Sequence, residues 1–427
     1  MRVIMLTWEY PPKIVGGIAR HVFDLANALV AQGVKVNVIT CEHPGAPAEE
    51  VENGVEISRV TVASGAHDFI HWVQLLNDAM YARADRLLSE LVPLAGDNVA
   101  PLAAGEEDER EPVVIHAHDW LAHYAANGLK HKYRLPLIAT IHATEHGRNN
   151  GIHSPGQAYI NHVEWELQAA AWRVIVCTDY MRRECQRALG TPWDKMDVIV
   201  NGVDPSKFAN ELSEHERAEF RSRYAAPNEK IIFFVGRLVR EKGVEVLIQA
   251  LPKIRWFYND SKLLICGGGN RDHLVRLAQS LGIDKAVYFA GFVPDDDLLK
   301  IYQVADVACF PSLYEPFGIV ALEAMAARVP VVVSDTGGLP EVVEHEVTGT
   351  TTYTGNANSL ADGILDVLLH PIRARQKANT AFERVQNVFN WHRIAQQTAE
   401  TYARVWEEYL VSDFNPWPVG IEVDEDV

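Results

Sequence analysis

The 427 residues have little positive charge to offer: 39 Lys and Arg stand against 57 Asp and Glu, a formal net charge of −18 at pH 7. A nucleic-acid-binding face needs clustered cations, and a membrane-surface helix needs a basic polar side, so the composition argues against both partners. Cysteine is scarce, with five residues in all. Cys41, Cys177, Cys185, Cys266 and Cys309 are scattered and odd in number, which predicts reduced thiols and a cytoplasmic location rather than a disulfide framework. No apolar run reaches the ~20 residues that would span a bilayer, so no integral membrane association is expected. The opening segment RVIMLT reads as a strand and lacks the basic, apolar and small-residue regions of a signal peptide. The glycine fingerprint G-x-G-x-x-G is missing from the first strand–helix turn, which disfavours a nicotinamide-dependent dehydrogenase.

What is present is a globular α/β pattern. Hydrophobic residues make up 48% and charged residues 22%, over a length that suits two cores better than one. Short β-branched runs alternate with helical periodicity: RVIMLT, VKVNVIT, VEISRV, PVVIHA, PLIATIHA, RVIVCT and MDVIVN, then KIIFFVGR, KLLICGG, VYFAG, VACFPS and PVVVSD. Strands separated by helices of ten or more residues predict βαβ units, and two such series predict two doubly wound domains. The turn-rich stretch Asn201-Gly202-Val203-Asp204-Pro205 marks the boundary, ahead of a charged helix expected over Ser213–Tyr224. Residues 93–112 hold few large apolar side chains and read as an exposed loop. A last helix is expected over His392–Leu410, followed by an acidic tail that Phe414 and Trp417 could anchor.

In an open parallel sheet, ligands sit beyond the carboxyl ends of the strands. The first strand is followed by Trp8-Glu9-Tyr10-Pro11-Pro12-Lys13-Ile14-Val15-Gly16-Gly17 and a helix. Gly16 and Gly17 either admit a ligand close to the backbone or simply make a tight turn. Two later strands end in His116-Ala117-His118-Asp119-Trp120 and His142-Ala143-Thr144-Glu145-His146-Gly147-Arg148. These polar residues should converge on one crevice. His116, His118, Asp119 and His142 could instead ligate a metal, although no HExxH-type second element completes such a site, and His116 is equally compatible with a core role.

In the second half, Val235-Gly236-Arg237-Leu238-Val239-Arg240-Glu241-Lys242-Gly243 sets Arg237 and Lys242 between a strand and a helix. Two cations there can neutralise a diphosphate, or form a surface charge cluster. Gly267-Gly268-Gly269-Asn270 and Ala290-Gly291-Phe292-Val293 are strand-end turns, the second suited to a nucleobase edge. Tyr314-Glu315-Pro316-Phe317-Gly318-Ile319-Val320-Ala321-Leu322-Glu323 puts Glu315 at the mouth of a helix and Glu323 inside it. Each carboxylate can grip a pair of hydroxyls, one pair on a sugar and one on a ribose. The plainer reading is a capping carboxylate and a solvated helix Glu.

Together these segments resemble the large retaining glycosyltransferase family four, of the GT-B fold. YEPFGIVALE with its E-x7-E spacing, VGRLVREKG and SDTGGLPE match its C-terminal domain in order and spacing. TWEYPPKIVGG, HAHDW and TIHATEHGR look like loops of its glycogen and starch synthase branch. The resemblance implies an α/β architecture of two Rossmann-like doubly wound domains with a cleft between them: an acceptor-side domain over 1–200, a donor-binding domain over 201–390, and a helix and tail over 391–427 crossing back to the first. It implies that Arg237 and Lys242 hold the donor diphosphate, Glu315 the transferred sugar and Glu323 the ribose. Phe317, Gly318 and Ile319 would present amides near the sugar and phosphate, with Gly291 and Phe292 also on the donor. His142 would lie near the reacting carbon. Glu9, Asp119, Glu145 and the Gly16–Gly17 loop would lie near the sugar or acceptor. The implied donor is ADP-glucose, with UDP-glucose as an alternative, the acceptor a glucan or small sugar, and neither cofactor nor metal is expected. Lys13 stands three residues before Gly16, unlike the Lys-x-Gly-Gly loop of bacterial starch-type synthases, which leaves glucose 1-phosphate among the acceptors to be weighed. A nucleotide-sugar epimerase of the same fold and a non-catalytic sugar-nucleotide-binding subunit are the competing readings.

Overall fold

A computed structural model describes residues 1–92 and 111–416. The chain divides into two compact units: Met1–Val200 together with Trp391–Val427, and Asn201–Asn390.

The first unit is built on eight strands: β1 (Arg2–Leu6), β2 (Lys35–Cys41), β3 (Glu49–Glu52), β4 (Val55–Val60), β5 (Val113–His118), β6 (Leu137–Ile141), β7 (Arg173–Val176) and β8 (Met196–Val198). Their spatial order is β3-β4-β2-β1-β5-β6-β7-β8. Every pairing is parallel except the β3–β4 hairpin. The central strands read as near-continuous Val/Ile runs because both faces of a parallel sheet are covered. Helix Gly17–Val30 lays Ala19, Val22, Leu25, Ala26 and Leu29 on one face, the i, i+3, i+4 stripe that a core-facing helix needs.

The last helix, Trp391–Leu410, belongs to this unit. Its Ile394, Ala395, Tyr402 and Val405 join the same buried cluster as Val3, Met5, Val22 and Leu25. Full burial of each large side chain contributes roughly 1.5–3 kcal/mol. Polar ties fix the register: Tyr402 Oη and His116 Nδ1 are 2.7 Å apart, Trp172 Nε1 donates to Glu408 at 2.7 Å, and Arg404 pairs with Asp197. Phe414, just beyond, lies 4.4 Å from the Arg134 guanidinium, and its carbonyl accepts from Arg134 Nε at 2.9 Å. Trp417 and nearly all of the loop expected over 93–112 fall outside the described residues.

The second unit carries β9 (Lys230–Val235), β10 (Ser261–Cys266), β11 (Val287–Gly291), β12 (Val307–Phe310), β13 (Val331–Ser334) and β14 (Thr350–Thr352), ordered β11-β10-β9-β12-β13-β14 and wholly parallel. Each sheet reverses its winding once, the first between β1 and β5 and the second between β9 and β12. Those are the points at which an open α/β sheet leaves a crevice beyond its strand ends. The charged helix is Glu214–Arg221, shorter than expected; Ser213 and Glu216 form a reciprocal capping box at its start. Among the described residues no helix is long and apolar enough to cross a membrane.

Candidate active site

At the β9/β12 switch the sequence brings two loops into contact. Gly243 has φ +66°, and a Cβ there would lie 1.9 Å from the Pro311 carbonyl oxygen, so only glycine lets the loop after β9 press on the segment after β12. The amides of Leu313 and Tyr314 donate to the Glu241 carbonyl at 2.7 and 3.2 Å. Lys242 is thereby held with Nζ 2.7 Å from Glu315 Oε2, and Ser312 Oγ donates to the same oxygen at 3.1 Å. A third loop buttresses Glu315 from behind. Gly337, at φ +60°, would place a Cβ 1.9 Å from the Glu315 carbonyl oxygen, and the Gly338 amide donates to that oxygen at 2.8 Å. The SDTGGLPE segment therefore positions Glu315 through its backbone.

Glu315 and Glu323 are both buried, which removes the solvated reading of Glu323. Tyr302 Oη donates to Glu323 Oε2 at 2.8 Å. Phe317 is buried edge-on against Phe389, and Gly318, at φ +108°, starts helix Ile319–Ala326. Arg237 is exposed and turned to Glu241 at 3.2 Å rather than joined to Lys242 and Glu315. An exposed pair of this kind contributes at most ~1 kcal/mol and is readily exchanged for a stronger anion. Beside these residues, the ends of β9, β10 and β11 enclose a cavity of about 360 Å³, lined among others by Leu238, Gly267, Gly268, Gly269, Gly291 and Phe292.

At the β1/β5 switch of the first unit, Glu9 is turned inward. It is 1% exposed, and Oε2 accepts from the amides of Val15 at 2.5 Å and Gly16 at 3.0 Å. The Glu9 carboxylate thus organises the glycine loop, and the Gly16 amide is occupied by it. Burial pushes the Glu9 carboxyl up, opposed by these amides and that of Ala19. Asp119, at φ +61°, accepts from the His142 amide at 2.7 Å and so fixes the loop that carries the His142 ring. Burial raises Asp119 to about 6, against the pull of Arg148 and the His142 and Ala143 amides.

Three histidines gather over this point. His118 Nδ1 and His142 Nε2 are 3.2 Å apart, and the His21 ring stands 4.7 Å from that of His142. Burial lowers His142 to about 3, aided by Arg148, and holds His118 well below the ordinary histidine range, so both rings are neutral at physiological pH. His116 packs beside His118, with ring centroids 4.3 Å apart, but its two ring nitrogens meet Tyr402 and Thr140, each at 2.7 Å, so it is a core residue rather than a ligand. The nitrogens of His21, His118 and His142 all lie within 4.8 Å of one another, a spacing from which neutral imidazoles can hold a divalent cation. Glu145 accepts from Asn149 Nδ2 at 2.9 Å, while its amide donates to the buried carboxylate of Glu164 at 2.8 and 3.1 Å. Burial pushes Glu164 up to about 8. Neither His21 nor Glu164 belongs to a strand-end motif; each projects from a helix, Gly17–Val30 and Pro155–Ala170 respectively, and nothing in its local spacing marks it.

Known proteins carry the same organisation. Residues 15–207 match the family described as Glycosyltransferase Family 4, and residues 216–384 match Glycosyl transferases group 1. An uncharacterized glycosyltransferase of Methanocaldococcus jannaschii is 40% identical over 404 residues, covering 94% of this chain and 98% of that protein. The glycogen synthase of Mycobacterium tuberculosis is 34% identical over 418 residues, covering 94% of each chain. Among solved structures, a sucrose-phosphate synthase from Thermosynechococcus elongatus superposes with a TM-score of 0.78 at 25% identity, covering 95% of this chain and 99% of that one. This chain is therefore a hexosyltransferase and belongs to the group 1/family 4 glycosyltransferases of the GT-B fold.

Proposed function

We propose that the protein is a retaining glucosyltransferase that moves glucose from ADP-glucose, with UDP-glucose as the second candidate, to a glucan, as a glycogen synthase does. The observation that carries this reading is the Lys242–Glu315 contact at the β9/β12 switch beside the glycine-lined cavity. Full-length similarity to a glycogen synthase supports the choice of donor and acceptor.

In this reading the cavity takes the nucleoside, with Gly291 and Phe292 at its edge. Glu323, steadied by Tyr302, accepts the ribose hydroxyls, and Glu315 accepts hydroxyls of the transferred glucose. Arg237 leaves Glu241 for the diphosphate, and Lys242 supplies a second cation. Cations and helix amides already in place stabilise the departing charge more than water would, because they need no reorganisation as the bond breaks. The bond from the anomeric carbon to the diphosphate oxygen breaks as the acceptor oxygen bonds to the same face of that carbon. The acceptor proton passes to a diphosphate oxygen, and the configuration is retained. Neutral His142 offers a polar contact without placing a cation beside the developing positive charge on the sugar. Metal and cofactor are unnecessary in this scheme, since Arg237 and Lys242 supply the positive charge. Five buried cysteines, scattered and odd in number, support a cytoplasmic location.

The test is a screen of ADP-glucose and UDP-glucose against glycogen, maltoheptaose and glucose 1-phosphate. It follows diphosphate release and digests the product with an α-specific glucosidase. Release dependent on a glucan, with an α-linked product, is the expected result. A β-linked product, or donor epimerisation without nucleotide release, overturns it.

A further inference from the structure

Beyond Ile141 the chain leaves β6, and sheet pairing no longer holds its backbone. The next residues, His142 to Glu145, carry the ring that the scheme above sets beside the sugar. Buried backbone groups need partners, and here side chains from three other elements supply them. Asp119, just past β5, accepts from the His142 amide at 2.7 Å. Thr144 Oγ1 donates to Glu184 Oε1 at 2.6 Å, on helix Asp179–Leu189, and accepts from the Gly147 amide at 2.9 Å. The Glu145 amide donates to both carboxyl oxygens of Glu164, at 2.8 and 3.1 Å, on helix Pro155–Ala170. The segment is thus anchored at its His142 end by one acid and at its Glu145 end by another.

Packing alone does not call for an acid at 164. Val163 and Leu167, fully buried beside it, show what the inner face of this helix otherwise carries. Glu164 is 2% exposed, and a carboxyl is unfavourable in such a place. Burial is the main reason its carboxyl rises to about 8; the Glu145 amide and Arg148 oppose the rise, while Asp119 and the Glu145 carboxylate add to it. Asp119 and Glu184 are buried as well, so three acids crowd beneath one loop. Such a cluster costs stability, and its members converge on the backbone that follows His142. Displacing a group at the reacting centre by about 1 Å costs on the order of 10²-fold in rate, so a loop of this kind has to be held closely.

We propose that Glu164 is a positioning residue for the transfer step, receiving the Glu145 amide so that the loop presents the His142 ring to the reacting carbon. The inference rests on the transferase reading, because that reading gives His142 its place. Glu164 acts through the backbone and touches no reacting atom. What the loop takes from it is an acceptor oxygen at a set reach, since the Glu145 amide is a neutral donor. Glutamine offers that oxygen at the same reach. Leucine fills the same space without it, and aspartate draws it back by one methylene. The three replacements therefore separate reach from bulk and from charge.

The experiment compares the full chain with Glu164→Leu, Glu164→Asp and Glu164→Gln, and repeats Glu164→Leu in a His142→Ala background. Steady-state kinetics use ADP-glucose and UDP-glucose as donors and maltoheptaose as acceptor. NMR of histidines labelled at Cε1 reads the His142 ring directly, its signal assigned by its loss in His142→Ala. Glu164→Leu and Glu164→Asp are each expected to lower kcat by about tenfold or more, with the donor KM moving less than about threefold. Both should shift the His142 signal and leave that of His116, held by Tyr402 and Thr140, in place. Glu164→Gln is expected to keep the His142 signal in place and kcat within about threefold. In the His142→Ala background Glu164→Leu should cost less than about threefold further, because the ring it positions is gone. A full loss in that background, or a His142 signal unmoved in both Glu164→Leu and Glu164→Asp, overturns the proposal and leaves the transferase reading standing. A His116 signal that moves with His142 in both variants also overturns it, assigning Glu164 to the core at large. A His142 signal that moves in those two variants and returns in Glu164→Gln, in a chain that cleaves neither donor, upholds the hold on the ring and sinks the transferase reading instead.

Discussion

Lys242 donates to Glu315 at 2.7 Å across 73 residues of chain, so the expected diphosphate clamp and the expected sugar grip are physically joined. In the proposed scheme, removing Lys242 takes away a cation from the leaving group, and it also strands the buried Glu315 carboxylate. We expect Lys242→Ala and Glu315→Gln each to lower kcat/KM by about 10²–10³-fold. The double variant should lose less than the product of the two, because residues in contact are energetically coupled. Steady-state kinetics on the four forms measure the coupling; strictly multiplicative losses would mean that the two side chains act separately.

Burial raises Asp119 to about 6, and its ionised form accepts the His142 amide, fixing the loop that carries the His142 ring, which the proposed scheme sets beside the sugar. The kcat/KM profile should therefore fall on the acid side through about pH 6, and Asp119→Asn should lack that limb. His142 itself, lowered to about 3, should leave no inflection in the range where the enzyme is folded. A limb that persists unchanged in Asp119→Asn would assign it to another group.

Glu164 gives a stability prediction. Its carboxyl is raised from 4.5 to about 8 in the folded chain, so between those values the native state binds more protons than the unfolded one. Unfolding free energy then falls as pH rises through that window, by an amount on the order of a few kcal/mol for a shift of this size. Glu164→Gln removes this group's contribution. Denaturant titrations from pH 5 to pH 9 should show a shallower decline for the variant, and parallel curves would contradict the assignment.

Chelation with EDTA should leave transfer intact if Arg237 and Lys242 supply the positive charge. Added zinc should inhibit, because His21, His118 and His142 can close on a cation and take His142 out of use. His21→Ala should weaken that inhibition at least tenfold. Loss of turnover on chelation, restored by a specific divalent ion, would instead make the metal part of the chemistry.

Most of the frame was legible because parallel strands buried on both faces are written chiefly in apolar and β-branched residues, as β1, β2, β5 and β9 are. The exposed edge strand β3, Glu-Glu-Val-Glu, and the three threonines of β14 carry no such signature and were not anticipated. Lys242, Glu315, Asp119 and His142 could be found by looking just past strand ends. The inward turn of Glu9 could not, since it depends on amides six and seven residues away that only the folded loop supplies. His21 and Glu164 project from helices, where one polar residue looks like any other until a strand end from a distant part of the chain arrives beside it.

Helix Trp391–Leu410 closes the core begun by Arg2–Leu6, with Tyr402 Oη reaching the His116 ring in the middle of the first sheet. β1 must therefore wait for a helix translated after all of Asn201–Asn390 before its own interior is sealed, while Asn201–Asn390 already has all its strands. During translation the middle of the chain can mature first. A nonsense codon just before Trp391 would expose the apolar side chains of β1 and helix Gly17–Val30, far in sequence from the damage itself.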